Sequence, residues 1–137
     1  MSTLAQRHNL QSADVLVAPK SGLNIVKHMI VFLWIDDFGQ DHYLENHPQF
    51  GVRHLTGQQV ENLYKIIAIR KFSGTQRERQ FAIQRAVSQE GKKYDLLKFN
   101  CEHFANYVQT NTSFSRQSNN AIGLAALGLA AVVLSRL

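Results

Sequence analysis

A chain of 137 residues with net charge +5 and a pI of about 9.6 is long enough for one domain with its own core, and its basic balance favours anionic partners. Its one cysteine, Cys101, excludes an internal disulfide, and the polar segment 1–11 lacks the apolar core of a secretory signal, so a cytosol-facing protein is expected. The basic side chains are scattered, with no basic helix or aromatic-interleaved run of a nucleic-acid module, so the charge reads first as a solvated surface and otherwise suits phospholipid head groups.

In chain order, residues 14–18 read as a short strand, from β-branched content, and residues 19–22 as a turn, from their Pro and Gly punctuation. His28 then opens seven apolar residues, up to the turn Asp36-Asp37-Phe38-Gly39. An apolar run of that length bounded by a turn predicts a strand buried on both faces. Residues 41–46 form the returning strand of the hairpin, closed by His47-Pro48. His42, His47 and His54 crowd this region, but their spacing fits no standard zinc pattern. Residues 58–64 predict a short helical turn and 64–70 another strand, so an antiparallel sheet accumulates. Residues 74–89 read as an amphipathic helix that Gly91 stops.

A second helix is predicted from Cys101, because Cys101, Phe104, Ala105 and Val108 share one helical face and Asn100 is a favourable N-cap. The first turn of a helix carries the positive end of its dipole, and a thiol there is biased toward thiolate, the attacking form. Read from these residues alone, Cys101 is equally a small buried hydrophobe with no chemistry.

The run Asn100-Cys101-Glu102-His103-Phe104 resembles the signature of the lecithin:retinol acyltransferase-like, or NC-domain, family. Gly91-Lys92-Lys93-Tyr94-Asp95-Leu96, leading into Asn100-Cys101, is similar to the family's Gly-x-x-Tyr-x-Leu-x-x-x-Asn-Cys pattern. Gly51-Val52-Arg53 and the Ser115-Arg116-Gln117 segment are similar as well, so the resemblance extends from about Asp14 to Gln117. Two departures stand out. Ala13-Asp14 replaces a usual Gly-Asp, and Met29-Ile30-Val31 follows His28 where the family usually carries Ile-Tyr-Val-Gly after one small or aromatic residue.

The resemblance implies an α+β fold of circularly permuted papain-like (NlpC-type) kind, an antiparallel sheet packed against helices with the catalytic cysteine at a helix N-terminus. It implies Cys101 as nucleophile and His28 as general base. Alignment on Pro48 puts Glu45 where vertebrate members carry a second histidine, so Glu45 is expected to orient His28. Asn46 is the runner-up, since Asn holds that role in papain-like enzymes, and His42 a third choice. Glu102 and His103 belong to the signature too, but a residue two positions along a helix points away from Cys101, so both are read as structural, bonded to neighbouring backbone. Whether Tyr94 faces the site is left open.

The implied activity is that of a phospholipase A/acyltransferase. An acyl-thioester would form on Cys101 from a glycerophospholipid and pass to water or to an amine or alcohol acceptor, with neither cofactor nor metal. The alternatives are an NlpC-like peptidase or amidase and a non-catalytic membrane adaptor on the same fold. Residues 1–118 are then the catalytic domain and 119–137 a hydrophobic tail. Its fourteen unbroken apolar residues, 121–134, span about 21 Å as a helix against a hydrocarbon core of about 30 Å. The tail is read as membrane-associated, spanning or dipping, in preference to a buried terminal helix, because it has no polar face. Vertebrate members of the family likewise end in a hydrophobic anchor.

Overall fold

Strand β2, Leu23–Ile35, is the thirteen-residue centre of a five-stranded antiparallel sheet, in a computed structural model that describes residues 2–20 and 23–112. With β1 Val15–Lys20, β3 Asp41–His47, β4 Gly51–Thr56 and β5 Ala68–Arg70, the spatial order is β4-β3-β2-β1-β5. Helices α1 Leu4–Arg7 and α2 Gly57–Leu63 are short, whereas α3 Gln76–Ser88 and α4 Cys101–Thr110 are longer.

The apolar run of β2 is buried from Met29 to Leu33, where the sheet is covered on both sides, whereas Trp34 and Ile35 at its end are exposed, unlike the fully buried strand expected. Alternation sends Ile30 and Phe32 to one face, where Leu16, Tyr43 and Leu55 meet Leu4 and Ala5 of α1 and Val60 of α2. Met29, Val31 and Leu33 go to the other face, with Val15, Leu44 and Val52, against Ala82 and Ala86 of α3 and Phe104, Ala105 and Val108 of α4. The stripe that begins at Cys101 is therefore the face α4 lays on the sheet. Capping is uniform: Thr3, Thr56 and Thr75 each close a capping box with Gln6, Gln59 and Glu78, ahead of α1, α2 and α3.

Several boundaries differ from the sequence reading. β2 starts at Leu23, so His28 lies inside the strand, opposite Ala18, and not at its mouth. Pro19 and Lys20 continue β1 where a turn was expected; the pairing register shifts between them, and proline, lacking an N–H, is tolerated at such an irregularity. Of the strand expected over 64–70, only Ala68–Arg70 pairs with β1, because Tyr64 ends α2 as its C-cap and the chain first meets β1 where Ile67 N–H donates to the Val17 carbonyl (2.9 Å). β4, noted in the sequence only as a motif, is a full strand. Within the segment taken as polar, Leu4 and Ala5 are buried in α1.

The Ala13-Asp14 departure has a local consequence. Ala13 holds φ 77°, in the left-handed region that suits glycine, and this presents the buried Asp14 carboxylate to Phe72 N–H (2.9 Å), Lys71 Nζ (2.9 Å) and Arg79 Nη1 (3.2 Å). The expected membrane tail lies outside the described residues. Among the described residues, no helix is long and apolar enough to cross a membrane.

Candidate active site

The N-terminus of α4 is fixed from two directions. Asn100 is extended, and its side chain accepts the N–H groups of Glu102 (2.9 Å) and His103 (3.0 Å), while its own N–H donates to His103 Nδ1 (3.0 Å). His103 is thus half of a capping box, as the backbone-bonded reading of the sequence has it; burial holds its pKa below the ordinary value despite nearby Glu102 and Asp95. From the sheet, Asn46 Nδ2 donates to the carbonyls of Phe99 (2.9 Å) and Asn100 (3.1 Å), tying the residues ahead of Cys101 to β3. Cys101, first residue of the helix, is buried, with Sγ 3.5 Å from the Lys27 carbonyl.

The other half of the site comes from strand register. Ile30 opposes Glu45 across β2 and β3, so His28, two residues along on the same face, lies diagonal to that carboxylate and within its reach. His28 Nε2 meets Glu45 Oε1 at 2.6 Å. Glu45 directly opposes Arg53 across β3 and β4, and Arg53 Nε donates to Oε2 at 2.6 Å. Tyr64, at the end of α2, donates its hydroxyl to Oε1 at 2.5 Å and lays its ring against the imidazole, centroids 4.8 Å apart. A fully buried carboxylate is thereby answered by three donors, as burial of a charge requires.

Electrostatics follow from these contacts. Burial would raise the pKa of Glu45, but the hydrogen bonds from His28 and Tyr64, the charge of His28 and the Arg53 bond hold it down at about 2. Burial would lower that of His28, but hydrogen bonds to Cys101 and Glu45, and their charges, raise it to about 9. Tyr64 is pushed up by burial and by Glu45. Tyr94 is pushed up by burial and then by the charge of Cys101, so it lies within electrostatic reach of the sulfur. The imidazole sits between a thiol and a carboxylate, with Nε2 on Glu45 and Nδ1 as the nitrogen that remains for the sulfur. Such an arrangement holds an imidazolium beside a thiolate and can pass its proton to a leaving group.

Cys101, His28 and Glu45 thus converge, and the other two choices for the orienting residue do not. Asn46 faces the opposite side of the sheet from Glu45, where it grips the loop before Cys101. His42 bonds Asp36 (2.7 Å) and His54 (2.7 Å) toward the other end of β3, while His47 lies against Phe50. The sequence reading missed Arg53 and Tyr64 as site residues. Arg53 had a signal, since Glu45 and Arg53 are opposite charges equidistant from the turn after His47; Tyr64 had none.

A family model described as Lecithin retinol acyltransferase matches residues 42–114, more than half of the chain. The matched stretch contains Glu45, Arg53, Tyr64 and Cys101 and begins beyond His28, which β2 supplies. None of the curated proteins matches the chain.

Proposed function

The chain belongs to the lecithin retinol acyltransferase family, and on that premise we propose that it is a thiol-dependent phospholipase A/acyltransferase whose covalent intermediate is an acyl-thioester on Cys101. The observation that carries this reading is the buried His28 imidazole, hydrogen-bonded to Cys101 on one side and to Glu45 on the other, at the N-terminus of α4.

His28 takes the thiol proton and the thiolate attacks an ester carbonyl of a glycerophospholipid. Negative charge develops on the carbonyl oxygen, where the Cys101 N–H at the positive end of α4 is the proposed donor. Collapse breaks the ester C–O bond, and the departing alkoxide takes the proton from His28, leaving the acyl group on sulfur. In the second half His28 takes a proton from water, or from an amine or alcohol acceptor, as its oxygen or nitrogen attacks the thioester. The thiolate leaves and is ready again. Glu45 orients His28 throughout and stabilises its charged form.

The chain order, His28 and then Cys101, is the reverse of papain-type enzymes, in which the cysteine comes first, and this supports a circularly permuted relative of that fold. The apolar stretch 121–134 supports membrane association.

The test is the intact mass of the purified chain after brief incubation with mixed-micelle phosphatidylcholine at mildly alkaline pH, beside Cys101→Ser and His28→Ala. A fatty-acyl increment is expected that vanishes in Cys101→Ser and is slowed in His28→Ala. No increment and no released fatty acid would overturn the reading in favour of an amidase or an adaptor.

A further inference from the structure

The two ends of the sheet differ in charge. At one end the β2–β3 turn carries Asp36 and Asp37 beside Phe38, which is 97% exposed. At the other end, where Cys101 lies, two segments meet. One is the β3–β4 turn with Phe50, 58% exposed; the other is the stretch 91–99 that leads into α4, with exposed Leu97, Lys92, Lys93 and Lys98. Backbone bonds join them, Gly91 N–H to the Val52 carbonyl (2.8 Å) and Val52 N–H to the Lys92 carbonyl (2.9 Å). Gly51, at φ +68°, lies so close to Lys92 that a Cβ would fall 2.3 Å from its carbonyl oxygen. The joined segments form one rim.

The charge of that rim is lopsided. Asp95, exposed, turns its carboxylate onto the N–H groups of Leu97 (3.1 Å) and Lys98 (2.9 Å), and with exposed Glu90 at the border it leaves two acids against the three lysines. Basic side chains interleaved with exposed Phe and Leu are the chemistry that binds a lipid surface bearing negative head groups.

We propose that the rim of Phe50, Leu97, Lys92, Lys93 and Lys98 docks on the surface of an anionic phospholipid bilayer and so presents lipid to Cys101. The proposal rests on the acyl-transfer reading and adds to it the kind of surface from which substrate is drawn. The lysines supply attraction and the two apolar side chains enter the head-group layer, while the acidic end with Phe38 faces away.

The experiment uses the full chain carrying Cys101→Ser, co-sedimented with vesicles of phosphatidylcholine alone or with a minority of phosphatidylserine, at low and high salt. The apolar contribution of residues 119–137 enters both vesicle types and cancels in their ratio, and the charge of Arg136 is common to the parent and every variant. At about fivefold per lysine near the surface, the preference for phosphatidylserine vesicles is expected to be on the order of 100-fold at low salt and to fall steeply at high salt. Lys92→Glu/Lys93→Glu/Lys98→Glu should abolish that preference, Phe50→Ser/Leu97→Ser should weaken binding to both vesicle types, and Phe38→Ser should change neither. Equal binding to the two vesicle types, or a preference that survives the triple substitution, would overturn the proposal. If the triple variant fails to unfold cooperatively, Lys92→Gln/Lys93→Gln/Lys98→Gln, which removes the charges without reversing them, decides the same question. Binding is read on a chain that forms no thioester, so its outcome stands apart from that of the acyl-transfer test.

Discussion

The two faces of β3 serve the site by different chemistry. On one face Glu45 meets His28, Arg53 and Tyr64, so each step of its pairing involves charge. On the other, its neighbour Asn46 is neutral and spends both donor contacts on the backbone ahead of Cys101. Glu45 is placed to act on a partner whose charge changes, and Asn46 on a partner that must only stay still. The faces also differ in completeness. The carboxylate is answered by three donors, whereas Asn46 Oδ1 is buried with no hydrogen-bond partner among the described residues. An ion left half-paired in that position would be far more destabilising than an amide.

The division is broken most directly by Glu45→Gln, which keeps the shape and removes the charge. Thioester formation is expected to slow about 10²-fold, with cooperative unfolding retained, because the imidazolium loses its stabilising partner. A rate within threefold of the parent would erase the distinction between the faces. Asn46→Ala tests the other side. Stripping two buried carbonyls of their donor is expected to destabilise the chain by about 2 kcal/mol, read as a lower thermal midpoint, with the pH profile of the remaining activity unmoved.

The pH dependence sharpens the same contrast. Glu45 goes from 4.5 unfolded to about 2 folded, so its stabilisation is present above about pH 4.5 and is lost as pH falls toward 2. His28 goes from 6.5 to about 9, so its contribution is complete below about 6.5 and is lost as pH rises through 9. Stability against denaturant is expected to fall at both extremes, and Glu45→Gln should flatten the acid limb where Asn46→Ala shifts the curve without changing its shape. The smallest effect is expected for Tyr64→Phe, which keeps the ring on His28 and removes one of three donors to Glu45. Thioester formation should slow about threefold to tenfold, and an unchanged rate would show that Arg53 and His28 hold the carboxylate by themselves.

What could be read from sequence was what is local. The N-cap at Asn100, the apolar face of α4 and the apolar run of β2 are set by neighbours a few residues away, and so is the turning of His103 away from Cys101 and onto the Asn100 N–H. The charged network is not local. Arg53 reaches Glu45 only because β3 and β4 pair in one register, and Tyr64 only because α2 ends where it does. The strand expected over 64–70 failed for the same reason. Its apolar density was real, but Tyr64 had been drawn to the carboxylate and only Ala68–Arg70 remained to pair. Asn46 shows the converse, since its residue type fitted the orienting role and its side of the strand ruled it out.

The sequence separation of 74 between Lys27 and Cys101 has a consequence for the timing of synthesis. As the chain is made from its amino terminus, the strands bearing His28 and Glu45 emerge long before α4. Until that helix closes against the sheet, Cys101 has neither the imidazole nor the cap of Asn100 to activate it, and behaves as an ordinary thiol. On the proposed mechanism its reactivity is switched on by the completion of folding, and an unfinished chain has no activated sulfur with which to capture the wrong molecule.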